Sequence, residues 1–529
     1  MGRARRGGGS GLDHLWGPSR RRPACRSPDQ VSRSRWPARH RHHHSSLRRR
    51  RSHHRPPPPL GRHRLRRRRG LRPRRQRRPA GRGEAGVRLV SEFAVRLWDR
   101  FGPLSFCDVP AKVAEVAAHS IMDWFGCALA GSQEPLSAIL RAELASGAGQ
   151  HTLIGSPERA DRLRAALING AAGHALDFDD SSAVMGGHPS APLVPALLAQ
   201  CESEGRTGAE LVAAYVAGSE IQTRVGSAIG PEHYAKGWHT TSTIGVFGAA
   251  AGCSRLLGLD ADRFGHAMGL AASSAAGLKA NFGTMAKPLH PGAAAERGLL
   301  AARLAARGYT ANHAAIEANQ GLAQAAGSGD LDWTRVDRWA DGWTTHRTLF
   351  KLHAACHFTH AGIEATSSLL RQGLEAADIE QITLRAHPSI LDVCGIASPT
   401  TGLEAKFSLR GTQALLVCGF DTTAAATFDD GPINRQDVQA LIHRVVVKPD
   451  DSLHPMATIV CAQTAGGELQ ATHDTSRPST DLAEQGIRLR RKFDAQTAPA
   501  LGEQRTRELG KRLEALAAVP DIDDLLALT

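Results

Sequence analysis

Residues 112–131 read KVAEVAAHSIMDWFGCALAG, and apolar side chains recur in this stretch every three or four positions. Ile121 and Trp124 belong to that repeating face, a spacing that predicts an amphipathic helix over Lys112–Leu129. Gly131 follows, and glycine commonly marks the end of a helix. Because the stretch is also rich in Ala, neighbouring helices can approach it closely. It therefore predicts a helical body.

The same helical spacing recurs in six further segments, and no segment between Val87 and Gly308 has a convincing strand pattern. The predicted helices span residues 162–175, 192–202, 209–227, 244–257, 261–276 and 292–306. After about Arg347 the pattern changes to short segments rich in Ile, Val and Thr, which indicate strands at 379–385, 443–448 and 458–464. Gly466 and Gly467 predict a hairpin turn, and helical spacing returns from Leu482 onward.

These patterns predict a mainly α protein, with large all-helical portions on both sides of a smaller inserted α+β domain. We predict the helical domain over residues 87–346, the α+β domain over 347–484, and returning C-terminal helices over 485–529. No stretch reaches the roughly 18 consecutive apolar residues of a membrane span, so no membrane partner is expected. Nine cysteines lie singly, without a C-x-x-C pair, which favours a reducing cytoplasm.

Residues 1–86 differ sharply in composition, with 28 Arg, no Lys and three acids, a formal charge of +25. Since the whole chain carries +15, the remainder is mildly acidic at −10. The segment has no sustained apolar period, so we predict a disordered Arg/Pro-rich tail. A start assigned too far upstream in a GC-rich frame is the favoured interpretation. The alternatives are a nucleic-acid arm, a transit peptide, or metal binding by His40 and His42–His44.

Carboxylates are concentrated at Asp177-Phe-Asp-Asp180, near a predicted helix end, and Ser181 and His188 follow. Three carboxylates in four residues can bind Mg²⁺, tune a neighbouring histidine, or simply face solvent. A second polar group surrounds His239 in the stretch Gly237-Trp-His-Thr-Thr-Ser-Thr. It precedes an apolar helix whose unpaired N–H groups attract anions. Taken alone, His239 is more typical of a half-buried structural histidine than of a catalyst.

A third group lies in Asn281–Gly292, which we predict to be a loop bounded by Gly and Pro that carries Lys287 and one histidine. A fourth begins at Lys351, where His353 and His357 have a spacing that superficially resembles a metal site. No third ligand can be assigned there, so a polar domain junction is the favoured interpretation, and no metal is expected.

Six strings in the sequence carry a resemblance to a known family. They are Ile121–Gly131 (IMDWFGCALAG), Asp177–Asp180 (DFDD), His188–Ser190 (HPS), Trp238–Gly245 (WHTTSTIG), Gly283–His290 (GTMAKPLH) and Cys356–His360 (CHFTH). In this order they resemble the MmgE/PrpD family, which includes 2-methylcitrate dehydratase, cis-aconitate decarboxylase and iminodisuccinate epimerase. The resemblance covers about Val87 to Thr529. It implies a helical domain formed from both chain ends, an α+β lid, usually a homodimer, and an active site at the domain junction.

The resemblance also implies which residues form the site. The family's positions fall on Asp177, Ser181, His188, His239, Lys287 and Lys351. One position departs from the family, because Ala405–Gly411 (AKFSLRG) resembles a stretch that ends in an active-site tyrosine, but Gly411 stands there. Loss of that phenol removes one donor or acid from the pocket, which leaves the family's best-known reactions open for this member.

On this basis we expect a lyase that acts on a small di- or tricarboxylate by acid–base chemistry, without metal or cofactor. The two site lysines would bind substrate carboxylates. His239 would be the principal acid/base and His188 a second proton carrier. Asp177 would orient a histidine, and Ser181 would hydrogen-bond the substrate or Asp177. Dehydration and decarboxylation are both open. Epimerisation, carboxylate binding without turnover and, remotely, nucleic-acid binding through the tail are the alternatives.

Overall fold

A computed structural model of the chain describes residues 91–145, 147–338 and 342–529. The predicted tail, residues 1–86, lies outside the described residues. Within them helices predominate and the sheets are small, which confirms a mainly α protein with some α+β content. None of the helices in these ranges combines the length and the apolar character needed to cross a membrane.

The first part of the described chain is a succession of helices. The longer ones are Glu92–Phe101, Ala111–Gly131, Pro135–Leu144, Arg162–Gly173, Ser190–Cys201, Gly208–Ile229, Gly245–Leu256, Ala261–Ser274 and Ala286–Ala306. The short ones are Phe106–Asp108, Glu232–Ala235, Thr240–Thr243, Lys279–Asn281, Leu322–Ala326, Trp333–Asp337 and Thr345–Arg347. The predicted absence of strands before residue 308 is wrong in one detail, because His151–Thr152 pairs antiparallel with Arg159–Ala160.

One helix begins earlier than predicted, and this changes the setting of a site residue. The helix Ala286–Ala306 includes Pro288 in its first turn and Pro291 in its second, so the predicted loop before residue 292 is wrong. Proline is tolerated in a first helical turn because the N–H groups there have no intrahelical partner. Lys287 therefore projects from the start of a helix rather than from a loop.

The second part of the chain combines short helices with a four-stranded sheet. The helices are His357–Arg371, Ala376–Asp378, Pro388–Cys394, Gly402–Lys406, Leu409–Val417, Ala425–Phe428, Asp430–Ile433 and Gln436–Ile442. The strands, in spatial order, are Val445–Pro449, Ile379–Ala386, Ala457–Thr464 and Gly467–Asp474. The first two are parallel and the other neighbours antiparallel. Thr464 pairs with Gly467, so the predicted hairpin is present, with its two-residue turn one position earlier.

The C-terminal elements Leu482–Leu501, Glu503–Glu514, Leu516–Ala518 and Asp523–Leu526 return to the helical part. Phe493 and Leu509 belong to the same buried apolar cluster as Trp124 on the helix Ala111–Gly131. A separate apolar cluster underlies the sheet and includes Ile382 and Val460. The described body thus has one core shared by both ends of the described chain, a second core beneath the sheet, and a small third cluster that includes Leu153 and Ile168.

Candidate active site

The Asp177 loop, residues 174–181, follows the helix Arg162–Gly173. Asp177 has a φ of 50°, in the left-handed region that residues other than glycine rarely adopt. Such a conformation persists only where the surroundings impose it. Asp180 anchors the loop, since its buried carboxylate accepts from the backbone N–H of Ser190 at 3.2 Å and from the Ser190 hydroxyl at 2.6 Å. The Asp177 side chain faces open space and is 49% exposed.

Both predicted lysines converge on Asp177. The Nζ atoms of Lys287 and Lys351 each lie 3.0 Å from Asp177 Oδ1. Lys351 also donates to the Asp177 backbone carbonyl at 2.5 Å and is itself buried. Burial opposes the ionisation of Asp177, but the Lys351 and Lys287 ammonium groups outweigh it and hold the pKa of Asp177 well below its usual range. The two ammonium groups therefore share the Asp177 carboxylate, and the neighbouring Asp179 carboxylate also favours the charged form of Lys351.

His188 lies on the other side of the same carboxylate. Its Nε2 is 3.5 Å from Asp177 Oδ1, and its Nδ1 is 2.7 Å from the Asp180 carbonyl oxygen. A carbonyl can only accept, so Nδ1 carries the proton and Nε2 presents a lone pair toward Asp177. Burial lowers the pKa of His188 to about 4, although Asp179 opposes this shift. The imidazole is therefore neutral at physiological pH.

His239 completes the group of predicted residues. It directly precedes the short helix Thr240–Thr243, and its backbone N–H donates to the Gly277 carbonyl at 3.0 Å. Its Nδ1 lies 3.1 Å from Nδ1 of His290, while Phe282 packs edge-on at 5.0 Å between ring centroids. Burial, followed by repulsion from neighbouring cationic groups, lowers the pKa of His239 to about 2. Nε2 of His239 has no hydrogen-bond partner among the described residues.

The structure also brings in three side chains that the sequence did not single out. His174 is fully buried, with Nδ1 2.9 Å from Asp179 Oδ1, and its ring stacks on that of His239 at 5.8 Å. It also contacts the His188 ring at 4.7 Å. His290 bonds to His239 as described above. Asp179 and His290 lie within the quoted strings, so the strings themselves were the available signal for these two, whereas His174 lies three residues before the string that begins at Asp177.

Ser181 is near Asp177 but does not bond to its carboxylate. Its backbone forms a two-way antiparallel bridge with Leu349, at 2.7 and 2.8 Å. Its hydroxyl oxygen is buried and has no hydrogen-bond partner among the described residues. The expectation that Ser181 bonds to Asp177 is therefore wrong in this structure, and an expected bond to substrate stays a prediction. The bridge joins the Asp177 loop to the segment that carries Lys351.

Four side chains of this cleft could in principle hold a cation, namely His174, Asp177, Asp179 and His188. Their ligand atoms lie within 4.8 Å of one another. However, two ammonium groups already contact Asp177, and a cation would have to compete with both. The donor set thus fits a metal poorly, and an expected metal-free site stays a prediction. A second candidate group, Asp262, His266 and His313, lies elsewhere in the described chain.

The histidines after Lys351 do not form a metal-ligand group in the described structure. His353 contacts the Thr422 hydroxyl at 2.8 Å and Glu364 Oε1 at 3.0 Å, so both of its ring nitrogens are engaged. His360 Nε2 lies 3.1 Å from the Ala355 carbonyl oxygen. The residues instead form a buried polar junction, in agreement with the favoured interpretation of this segment.

The structure gives a physical reason for Gly411. This residue lies in the first turn of the helix Leu409–Val417, and its N–H donates to the Ser408 hydroxyl at 2.9 Å. A Cβ atom at Gly411 would lie 2.9 Å from Pro399 Cγ. Any larger side chain, including a tyrosine, would therefore require Pro399 to move.

The cleft thus combines two ammonium groups, a carboxylate and two neutral imidazoles on a mainly helical body, a combination of charged and titratable groups that is typical of enzyme sites. The MmgE/PrpD N-terminal domain matches residues 102–334, and the MmgE/PrpD C-terminal domain matches residues 353–515. The chain belongs to the MmgE/PrpD family, and it is a lyase of that family.

Several proteins of known name are similar to this chain. A cis-aconitate decarboxylase of Aspergillus terreus is 25% identical over 80% of this chain and 92% of its own length. A cis-aconitate decarboxylase of Homo sapiens is 28% identical over 66% of this chain and 75% of its own length. A cis-aconitate decarboxylase-like protein of Aspergillus oryzae is 31% identical over 52% of this chain, but the match spans only 61% of that protein.

Proposed function

We propose that this chain decarboxylates a small unsaturated tricarboxylate of the cis-aconitate type. The observation that carries the proposal is the convergence of Lys287 and Lys351 on one carboxylate oxygen, each at 3.0 Å, beside two neutral histidines. The names of the relatives favour decarboxylation over dehydration or epimerisation.

The charges of the cleft suit a polyanion. Lys287 and Lys351 share a single oxygen of Asp177, so each ammonium group keeps the capacity to bind a substrate carboxylate. A charge-assisted hydrogen bond of this kind contributes about 1.5–3 kcal/mol. The Asp177 carboxylate is half exposed and the Lys287 side chain is 18% exposed, which supports the approach of a ligand from this side, whereas Lys351 lies deeper.

The reaction requires one carbon–carbon bond to break. The departing carboxylate leaves as CO₂, and its bonding electron pair passes into the adjacent double bond and toward a remaining carboxylate. A lysine ammonium group bound to that carboxylate stabilises the developing charge. A proton is then added to carbon, so the substrate loses CO₂ and gains H⁺.

His239 is assigned as the donor of that proton. Its pKa is low in the empty cleft because burial and neighbouring positive groups disfavour the imidazolium form. A bound polyanion reverses the second of these effects, since a nearby negative charge favours the protonated ring. Substrate binding would therefore help to load the acid that the step needs. His188, with Nδ1 bonded to the Asp180 carbonyl, is assigned as the second proton carrier.

The test is a substrate screen on the purified full chain by NMR, with cis-aconitate, citrate, 2-methylcitrate and iminodisuccinate. We expect CO₂ release from cis-aconitate, and we expect His239→Ala to lower kcat by about 10²–10⁴ while remaining folded. The exposed His346, changed to Ala, is the matched control and should retain wild-type kcat. Tight binding of the acids without turnover would favour a carboxylate-binding protein, and full activity of His239→Ala would exclude the assigned role.

A further inference from the structure

Besides Lys351, a second buried ammonium group lies beneath the cleft, on the C-terminal helix Leu482–Leu501. Lys492 is 1% exposed, and its Nζ lies 3.9 Å from the centre of the Phe178 ring. It donates to Asp123 Oδ1 at 2.6 Å, to the Phe178 carbonyl at 2.7 Å and to the Lys351 carbonyl at 2.8 Å. An ammonium group has three N–H donors, so all three are used.

These three acceptors belong to three separate stretches of the chain. Asp123 lies on the helix Ala111–Gly131, and Phe178 directly follows Asp177 in the loop. Lys351 contributes its carbonyl to Lys492 while its own ammonium group bonds to Asp177. Lys492 therefore binds the backbone carbonyls of Phe178 and Lys351, one on each side of the contact between the Lys351 ammonium group and Asp177.

We propose that Lys492 is a positioning residue of this site, which sets the register between the Asp177 loop and the segment that carries Lys351. The proposal rests on the proposed function of that site. Lys492 reaches no substrate atom, because its three donors are already committed to protein acceptors. Without it, the Phe178 and Lys351 carbonyls would lose a buried donor, and the loop could shift relative to Lys351.

A Lys492 variant can lose activity because the whole fold is less stable or because the Asp177 loop is misplaced, and a second substitution distinguishes the two causes. Removal of Lys492 leaves the buried Asp123 carboxylate without its cation, and an uncompensated buried charge lowers the stability of the fold whatever the role of Lys492 in the site. Replacing both members of a buried ion pair by apolar residues of similar size is often neutral or stabilising. The double variant Asp123→Leu/Lys492→Met therefore recovers stability, yet the two carbonyls still lack their donor.

The experiment compares Tm, kcat and KM on cis-aconitate for wild type, Lys492→Met and the double variant. The control is Lys511→Met, which removes an exposed lysine of the neighbouring helix. We expect the double variant to regain most of the Tm lost in Lys492→Met, while its kcat stays roughly 10²-fold below wild type, the size of effect that a 1 Å misplacement can cause. A double variant with kcat within threefold of wild type would overturn the proposal.

A milder variant covers the case in which the double variant does not fold. Asp123→Asn keeps an oxygen acceptor for Lys492 and leaves both carbonyl contacts in place. We therefore expect a lower Tm but a kcat within about threefold of wild type. A kcat that falls in proportion to Tm would show that only overall stability matters, and the proposal would be overturned.

Failure of the proposed function would be recognised separately, because wild type would then turn over none of the acids. In that case hydrogen exchange decides the positioning role. The Ser181 and Leu349 amides form the bridge between the two segments, so both should lose protection in Lys492→Met or the double variant but not in Lys511→Met. Unchanged protection would refute the role of Lys492 irrespective of the reaction.

Discussion

Asp177→Asn removes the carboxylate that both site lysines contact. At 3.0 Å, and with an effective dielectric constant of about 20, each contact corresponds to roughly 5 kcal/mol of Coulomb attraction. Solvent reaches about half of the Asp177 side chain and screens these contacts, so the net loss is much smaller. We expect the free energy of unfolding to fall by about 1–3 kcal/mol, which for a body of this size corresponds to a Tm lower by about 1–3 °C.

The assay is thermal unfolding with and without tricarballylate, a saturated tricarboxylate that cannot react. In Asp177→Asn the ligand supplies the anion that both lysines lack, so the ligand should raise Tm more in the variant than in wild type. The matched control is Asp437→Asn, because Asp437 is 51% exposed and pairs with the exposed Arg435. This control should change stability by less than about 1 kcal/mol. An Asp177→Asn protein with wild-type Tm and an equal ligand shift would refute the reasoning.

Three further predictions follow from single contacts. Burial raises the pKa of Asp180 to about 8, so between about pH 4 and pH 8 the folded chain keeps a proton on Asp180 that the unfolded chain has released. The free energy of unfolding therefore falls as the pH rises through this range. Asp180→Asn cannot ionise, so denaturant titration should show its stability relative to wild type growing from pH 5 to pH 8. Ser181→Ala removes a buried hydroxyl that has no partner in the described structure, so Tm should not fall, while KM should rise about 2–10-fold if the hydroxyl binds substrate. Gly411→Ala brings a Cβ to 2.9 Å from Pro399 and should cost about 1–3 kcal/mol of stability by denaturant unfolding, whereas an unchanged midpoint would show that the Pro399 segment yields freely.

Sequence periodicity predicted seven of the helices between residues 111 and 306 because their apolar residues repeat at helical spacing, but it did not predict Glu92–Phe101 or Pro135–Leu144. Boundaries were less predictable, as the helix that carries Lys287 shows. Two prolines near its start suggested a loop, but the first of them occupies a first-turn position at which proline removes no intrahelical hydrogen bond. The helix predicted over Lys112–Leu129 also differs at its end, since it runs two residues further and includes Gly131.

The site residues were predicted from strings, but the contacts between them were not. The left-handed conformation of Asp177 could not be predicted, because aspartate rarely adopts it without tertiary support. Lys492 gave no signal at all, since a lysine on a C-terminal helix with charged neighbours ordinarily faces solvent. It is buried here only because three acceptors from distant segments meet at its ammonium group. Such a meeting is a property of the tertiary structure and leaves no local pattern.

Asp177 has a second consequence for how the site works. An empty pocket with two unpaired lysines would lose charge, because burial and mutual repulsion favour their neutral forms. Asp177, acting with Asp179, instead raises the pKa of Lys351 despite burial, so this cation is maintained before substrate arrives. The same carboxylate competes with the substrate for both lysines, so it lowers the affinity for substrate while it keeps the lysine charges in place.

Asp177→Asn should therefore bind an unreactive tricarboxylate at least as tightly as wild type at pH 6, where the lysines stay protonated. It should lose this advantage as the pH rises toward 9, whereas wild type should bind with little change. Isothermal titration across that range decides the point, and affinities that decline in parallel for both proteins would show that Asp177 does not maintain the lysine charges.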